Sequence, residues 1–322
     1  MYDVITIGGA SRDIVIRTRA GKLIATQNDP LATQLLGFPY GAKILVSRAD
    51  DNFGGGGCNV AVGLAKLGLT VSARVNLGRD LDGLNIQKNL AAAKVSPKLI
   101  SWDPKEKTDL SVVVIDENGG GDHIVFVDKN ASNNLTLRGK RGKSRWFYVS
   151  AATGDWQNLW KEIIAAAKKD QIKIAFNPGM LQLASGYAGL KEILAAVEIL
   201  ILSLDEAIEL VSSYDNNFSR VADNLAACLA SFGPKIVVIT EGAAGASAYD
   251  GKVLRFKKAV KVDNVADTTG AGDAFSAAFL GAIVLGYNLE TALAWGVKNG
   301  AAVISKYGAQ NGLLTRKEIE EA

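Results

Sequence analysis

Cross-linking and metal-binding side chains are scarce in this chain: its 322 residues include two cysteines, Cys58 and Cys228, and one histidine, His123. That excludes a disulfide framework and a Cys/His metal cluster, and it suits a reducing cytoplasm. Net charge is small as well, +3 from 36 Lys and Arg against 33 Asp and Glu, far short of a nucleic-acid binder. The opening stretch Met1-Tyr2-Asp3-Val4-Ile5-Thr6-Ile7-Gly8 has no basic leader and no long apolar run. Neither a signal peptide nor a membrane span is expected from it, and a cytoplasmic protein is. Internal repeats and low-complexity tracts are missing too. What is present is 48% hydrophobic and 21% charged residues, the balance of a globular chain with ample core.

Short apolar runs recur at 4–7, 71–77, 146–149, 172–176, 198–202 and 235–239, with helical patterns between them such as 156–168 and 187–197. This alternation predicts an α/β fold with three layers, α/β/α, around a mostly parallel sheet, and places ligands at the carboxyl ends of the strands. Residues 14–51 depart from the pattern, with β-like pieces at 13–17 and 42–46. The runs 110–115 and 123–127, joined by the polar turn 116–122, read as a hairpin. Together these two excursions predict a small β lid or a subunit contact. After residue 273 a helix to about 286 is expected, then two more over 289–297 and 299–307. The basic run Arg138, Lys140, Arg141, Lys143 and Arg145 has no interleaved aromatics and reads as a solvated loop.

Chemistry concentrates in Asp267-Thr268-Thr269-Gly270-Ala271-Gly272-Asp273, immediately ahead of an apolar helix. Small residues there leave N–H groups bare at a helix start, a seat for a phosphate. Asp273 is either an ordinary helix cap or a base that takes the proton of a hydroxyl attacking that phosphate. A second glycine run, Gly54-Gly55-Gly56-Gly57-Cys58-Asn59, leads into another apolar helix and brings backbone donors and the Asn59 amide near a ligand. Asp13, after the first strand, is either a turn carboxylate or an acceptor for polyol hydroxyls. Three further strand ends carry polar residues: Asn177, the Ser203-Leu204-Asp205-Glu206 stretch, and Thr240-Glu241-Gly242-Ala243-Ala244-Gly245. Gly8-Gly9-Ala10 lacks the spacing of a dinucleotide fingerprint. Gly142-Lys143-Ser144 lacks the leading glycine of a P-loop, since Leu137 occupies that position.

These motifs resemble the ribokinase-like (PfkB-type) sugar and nucleoside kinases over nearly the whole chain. The 267–275 stretch is similar to the family's C-terminal signature and 54–59 to its N-terminal one, in the expected order. The resemblance implies one ribokinase-like domain over 1–322, with a β lid from about 14–50 and 108–127. It implies phosphoryl transfer from ATP to a sugar hydroxymethyl group, with Mg²⁺ and optionally K⁺. Asp273 would be the base and the N–H groups of Gly270, Ala271 and Gly272 the anion hole. Ser11, Asp13, Gly55, Gly56 and Asn59 would contact the acceptor. Thr240, Gly242, Gly245, Asn177 and Asn299 would line the nucleotide, and Glu206 would hold the metal through water. Family members commonly dimerise through the lid. Two departures stand out: Ser203 replaces an asparagine near the magnesium-phosphate site, and Gly56 replaces the lysine of ribokinase proper. A nucleoside kinase and a non-catalytic sugar or nucleotide sensor on the same fold stay open as alternatives.

Overall fold

The computed structural model describes residues 1–26, 34–117, 123–139, 141–215, 218 and 222–321. Its centre is an eight-stranded sheet whose spatial order is Leu254–Lys258, Gly245–Tyr249, Ile236–Thr240, Ile199–Ser203, Lys173–Phe176, Ser144–Val149, Tyr2–Ile7 and Val71–Arg74. The last six of these run parallel, and the first two form an antiparallel edge. Strands such as Ile199–Ser203 are apolar at nearly every position because both faces of the sheet are covered.

Successive residues of the inner parallel strands enter opposite cores. Val4, Trp146, Tyr148, Ile199 and Ile201 join helices Gly56–Lys66, Ala271–Val284 and Leu289–Ile304 on one side. Ile5, Phe147, Val149, Leu200 and Leu202 join helices Trp156–Asp170, Gly186–Leu194, Leu204–Ser212 and Ala222–Ser231 on the other. The result is the expected three-layer α/β/α arrangement. Helix Ala271–Val284 is apolar all round because it lies inside the first core; Phe279 is fully buried there, and its truncation to alanine would cost about 3–5 kcal/mol. Among the described residues, no helix is long and apolar enough to cross a membrane.

A second sheet of four strands, ordered His123–Asp128, Asp109–Asp116, Ser11–Thr18 and Arg48–Gly54, occupies the segments expected to form the lid and is called the lid sheet. Its core is small: Val15, Val113 and Ile115, with Tyr307 packed against them. The Arg17 guanidinium lies 3.4 Å above the Tyr307 ring and pairs with Asp50.

Three sequence expectations change. The lid begins at Ser11, directly after the first central strand, and its second strand is Arg48–Gly54; residues 42–46 form no strand. A single helix, Leu289–Ile304, replaces the two expected over 289–297 and 299–307. Asn299 is fully buried and hydrogen-bonded there, and Gly296 lets the helix pack against the Phe275 ring. The hairpin pairs as predicted, His123 opposite Ile115. Residues 27–33 and 118–122 of the predicted lid, and Lys140 of the basic run, lie outside the described residues.

Candidate active site

Two glycine-rich segments meet above the carboxyl ends of the central strands. Gly270 caps helix Ala271–Val284 with φ +81°, and a side chain there would collide with Ala309, so only glycine fits the turn. Gly55, φ +86°, is pressed in the same way against the Gly9 carbonyl. Between them Asn59 donates to Asp273 Oδ2 at 2.8 Å, and its own carbonyl accepts from Gln310 at 2.9 Å. Gln310 in turn accepts from Asn89 at 2.8 Å. This relay fixes the orientation of the Asn59 amide.

Asp273 is embedded in protein yet open to the cavity. Burial pushes its carboxyl above the ordinary range, the Asn59 hydrogen bond opposes that rise, and the charge on Asp13 adds to it. A Cβ on Gly56 would stand 3.2 Å from Asp273 Oδ1 and 2.8 Å from Ser150 Oγ. The second departure from ribokinase thus has a local cause, since Ser150 and Asp273 fill the space beside this glycine. Ser150 follows the strand Ser144–Val149, and its buried hydroxyl has no hydrogen-bond partner among the described residues.

Of the predicted anion-hole donors, Gly270 and Gly272 make no N–H hydrogen bond among the described residues. Ala271 differs, because its N–H reaches the Thr268 carbonyl at 3.3 Å. Asp267, fully buried, accepts from Thr269 N–H at 2.9 Å and Gly308 N–H at 3.0 Å, tying this turn to the loop after the helix Leu289–Ile304. From the lid, His123 Nδ1 lies 3.1 Å from the Thr268 hydroxyl.

Asp13 sits on the lid strand at the other wall. Its Oδ1 accepts from the Ser11 hydroxyl at 2.7 Å, and Gly54 is glycine because a Cβ would overlap Asp13 Oδ2. Burial pushes the Asp13 carboxyl upward, against the hydroxyls of Ser11 and Ser111 and the ammonium of Lys129. Ser11 is thereby committed to Asp13 and supports it from below. Cys58, at the start of the glycine helix, is buried with its thiol pushed up by burial and by the charges of Asp13 and Asp273, so it is no thiolate nucleophile.

The remaining predicted residues lie at neighbouring strand ends, Ser203 pairing beside Thr240. Gly242 opens a short turn with clear space around it, whereas Gly245, φ +135°, is packed against the Lys257 carbonyl. Asn177 donates to the Ile201 carbonyl at 3.0 Å. Ser203 and Glu206 cap the helix Leu204–Ser212 reciprocally, leaving one Glu206 carboxylate oxygen outside the cap. Burial raises the Glu206 carboxyl, and its hydrogen bonds with Ser203 lower it. Asn299 departs from expectation: its amide donates to the Ala274 carbonyl and accepts from Leu314 N–H, so it braces two helices. Among the described residues no three carboxylate, cysteine or histidine groups gather as a metal cage.

Four site residues escape a reading of the sequence: Ser150, Gln310, Tyr148 and Lys129. Ser150 carries the one usable signal, a polar residue at the end of a central strand. Burial pushes the Tyr148 hydroxyl upward, and the charges on Asp273 and Glu206 add to the rise.

Comparison with known proteins bears on this arrangement. The pfkB family carbohydrate kinase profile matches residues 26–316. Ribokinase of Haemophilus influenzae is 25% identical over 90% of this chain and 94% of its own length. A 5-dehydro-2-deoxygluconokinase of Shouchella clausii is 24% identical over 83% and 85%. Among solved structures, the Burkholderia thailandensis nucleoside kinase in complex with inosine superposes with a TM-score of 0.80 at 20% identity, covering 99% of this chain and 96% of that one.

Proposed function

The chain belongs to the pfkB family of carbohydrate kinases, and from that premise we propose that it transfers the γ-phosphoryl group of ATP to a hydroxymethyl group of a sugar, with Asp273 as general base. The family assignment carries the coarser statement, an ATP-using kinase of sugars or nucleosides. The observation supporting the finer one is the 2.8 Å bond from Asn59 to Asp273, beside a helix start whose Gly270 and Gly272 N–H groups are uncommitted.

A primary alcohol is a poor nucleophile at neutral pH. As its oxygen bonds to the γ-phosphorus, the bond to the bridging oxygen of ADP breaks and the hydroxyl proton passes to Asp273. Asn59 holds that carboxylate with one oxygen turned to the acceptor. The N–H groups of Gly270 and Gly272, at the positive end of the helix, bear the charge that builds on the transferred group. Asp13 accepts from acceptor hydroxyls, and the Gly242 turn lies along the nucleotide phosphates. The lid closes over the acceptor and excludes water.

Magnesium fits a site with a single protein carboxylate, since Glu206 keeps one oxygen outside its cap and the phosphates and waters complete such a shell. When bound it would supply charge neutralisation between the phosphates. A monovalent cation would be held by backbone carbonyls near Asp267 and Gly308, which the Asp267 carboxylate draws together. We read residues 1–322 as one kinase domain in the cytoplasm. The exposed Ile124, Val125, Phe126 and Val127 on the lid's edge strand support a homodimer through the lid.

A coupled assay of ADP release against a panel of sugars and nucleosides tests the reading. Acceptor-dependent ADP production that disappears in Asp273→Asn is the expected result. Binding without turnover would leave a sensor on this fold.

A further inference from the structure

We propose that Lys129 selects the acceptor by binding a carboxylate on it, which makes the preferred substrate a sugar acid; this rests on the kinase reading above. Lys129 follows the lid strand His123–Asp128, and its Nζ lies 3.7 Å from where a Cβ on Gly9 would stand. Gly9 belongs to the glycine-lined pocket itself, its carbonyl accepting from Gly57 N–H at 3.1 Å and pressing on Gly55. The ammonium therefore reaches the wall that also carries Asp13.

Its anchor is Asp109. That carboxylate is fully buried and fixed through Oδ1 by the N–H groups of Asn130 and Ser132, at 3.0 and 3.1 Å. Oδ2 stands 3.3 Å from Lys129 Nζ and, among the described residues, accepts no hydrogen bond, so the ion pair holds the cation off hydrogen-bond geometry and leaves it N–H donors for a ligand. Among the described residues Lys129 Nζ donates no hydrogen bond. Arg12, the other base near this wall, is already paired with Asp51 and Asp82.

Charge decides the ligand. An ammonium with free donors binds an ionised acceptor group more strongly than a neutral hydroxyl. A phosphate, at roughly −1.5 to −2, would meet Asp13, Asp109 and Asp273 with only one cation beside it, whereas a carboxylate brings a single charge against the same three groups and is repelled less. A nucleobase would set an uncharged ring against the ammonium.

The test is steady-state kinetics with MgATP on matched hexonates and hexoses, with hexose phosphates and nucleosides alongside, for the wild type, K129M and K129R. A kcat/KM for a hexonate at least ~10-fold above its matched hexose is expected, a ratio that K129M collapses and K129R largely keeps. Preference for a hexose, a hexose phosphate or a nucleoside overturns this inference and leaves the kinase reading intact. So does an equal loss for acid and neutral acceptors in K129M, with K129R no better. Calorimetry with the same hexonates separates the two claims: Lys129-dependent binding without any ADP release sinks the kinase reading alone, and neither binding nor turnover sinks both.

Discussion

Asn59 and Asp273, 214 positions apart in sequence, are joined by a 2.8 Å hydrogen bond from amide to carboxylate, and the same amide is held from behind by Gln310. The bond joins the two glycine-rich segments and holds one of the two Asp273 carboxylate oxygens.

Removing the base tests the centre of the mechanism. Asp273→Asn is expected to lower kcat at least ~10²-fold while ATP affinity stays within about 2-fold, because the change withdraws a proton acceptor and leaves the helix-start N–H groups in place. Turnover within a few-fold of wild type would assign the base elsewhere.

The relay behind the base predicts a shift in pH dependence. Asn59 lowers the Asp273 carboxyl against the upward push of burial, so Asn59→Leu removes the opposing influence. Asp273 then needs a higher pH to ionise, and the acidic limb of the kcat/KM profile moves upward. Gln310→Leu, which only frees the Asn59 amide, should move the limb in the same direction by less. An unmoved limb in both variants would deny Asn59 this role.

Stability should answer to the same carboxylate with the opposite benefit. Because burial raises the folded-state value of Asp273, its contribution is full below the ordinary carboxylate range and is lost as pH rises through the raised value. Asp273→Asn is therefore expected to raise Tm at pH 7 by about 2 °C or more, the gain shrinking as pH falls toward 4. Scanning calorimetry at both pH values checks it, and an equal effect at each would refute the linkage.

Gly56 offers a steric test. Gly56→Ala places a methyl group 2.8 Å from Ser150 and 3.2 Å from Asp273, so kcat/KM for the acceptor should fall roughly 10-fold or more through disordered positioning. Adding Ser150→Gly should restore part of the loss. Full activity in the single variant would mean that the loop yields easily.

The lid contact at the phosphate turn makes a last prediction. His123→Ala removes the partner of Thr268 and is expected to raise acceptor-independent ATP hydrolysis, read as ADP release without sugar, because water reaches the site more readily. Unchanged background hydrolysis would confine His123 to a surface role.

Much of this site is legible in the chain because its constraints are local. Glycine at 55 and 270 follows from positive φ, and small residues before an apolar helix mark an anion seat whatever the tertiary context. Ser150, Gln310 and Lys129 are different. Each is an ordinary polar residue whose role exists only once sheet order brings remote strand ends together. Strand Arg48–Gly54 was hidden by composition: as an edge strand rich in Arg, Asp and Asn it lacks the apolar alternation that marks a strand. The helix Leu289–Ile304 reads as two, 289–297 and 299–307, because the buried hydrogen bonds of Asn299, rather than local preference, carry it through.

Asp267 fastens the phosphate turn to Gly308, and the adjoining Tyr307 is gripped by Arg17 of the lid. The four-stranded sheet and the helix-start turn thus share one mechanical joint. On the kinase reading, closing this sheet over an acceptor would tug on the turn proposed to face the nucleotide, and any coupling so produced would be reciprocal, each substrate altering the affinity for the other by the same factor whatever the order of arrival.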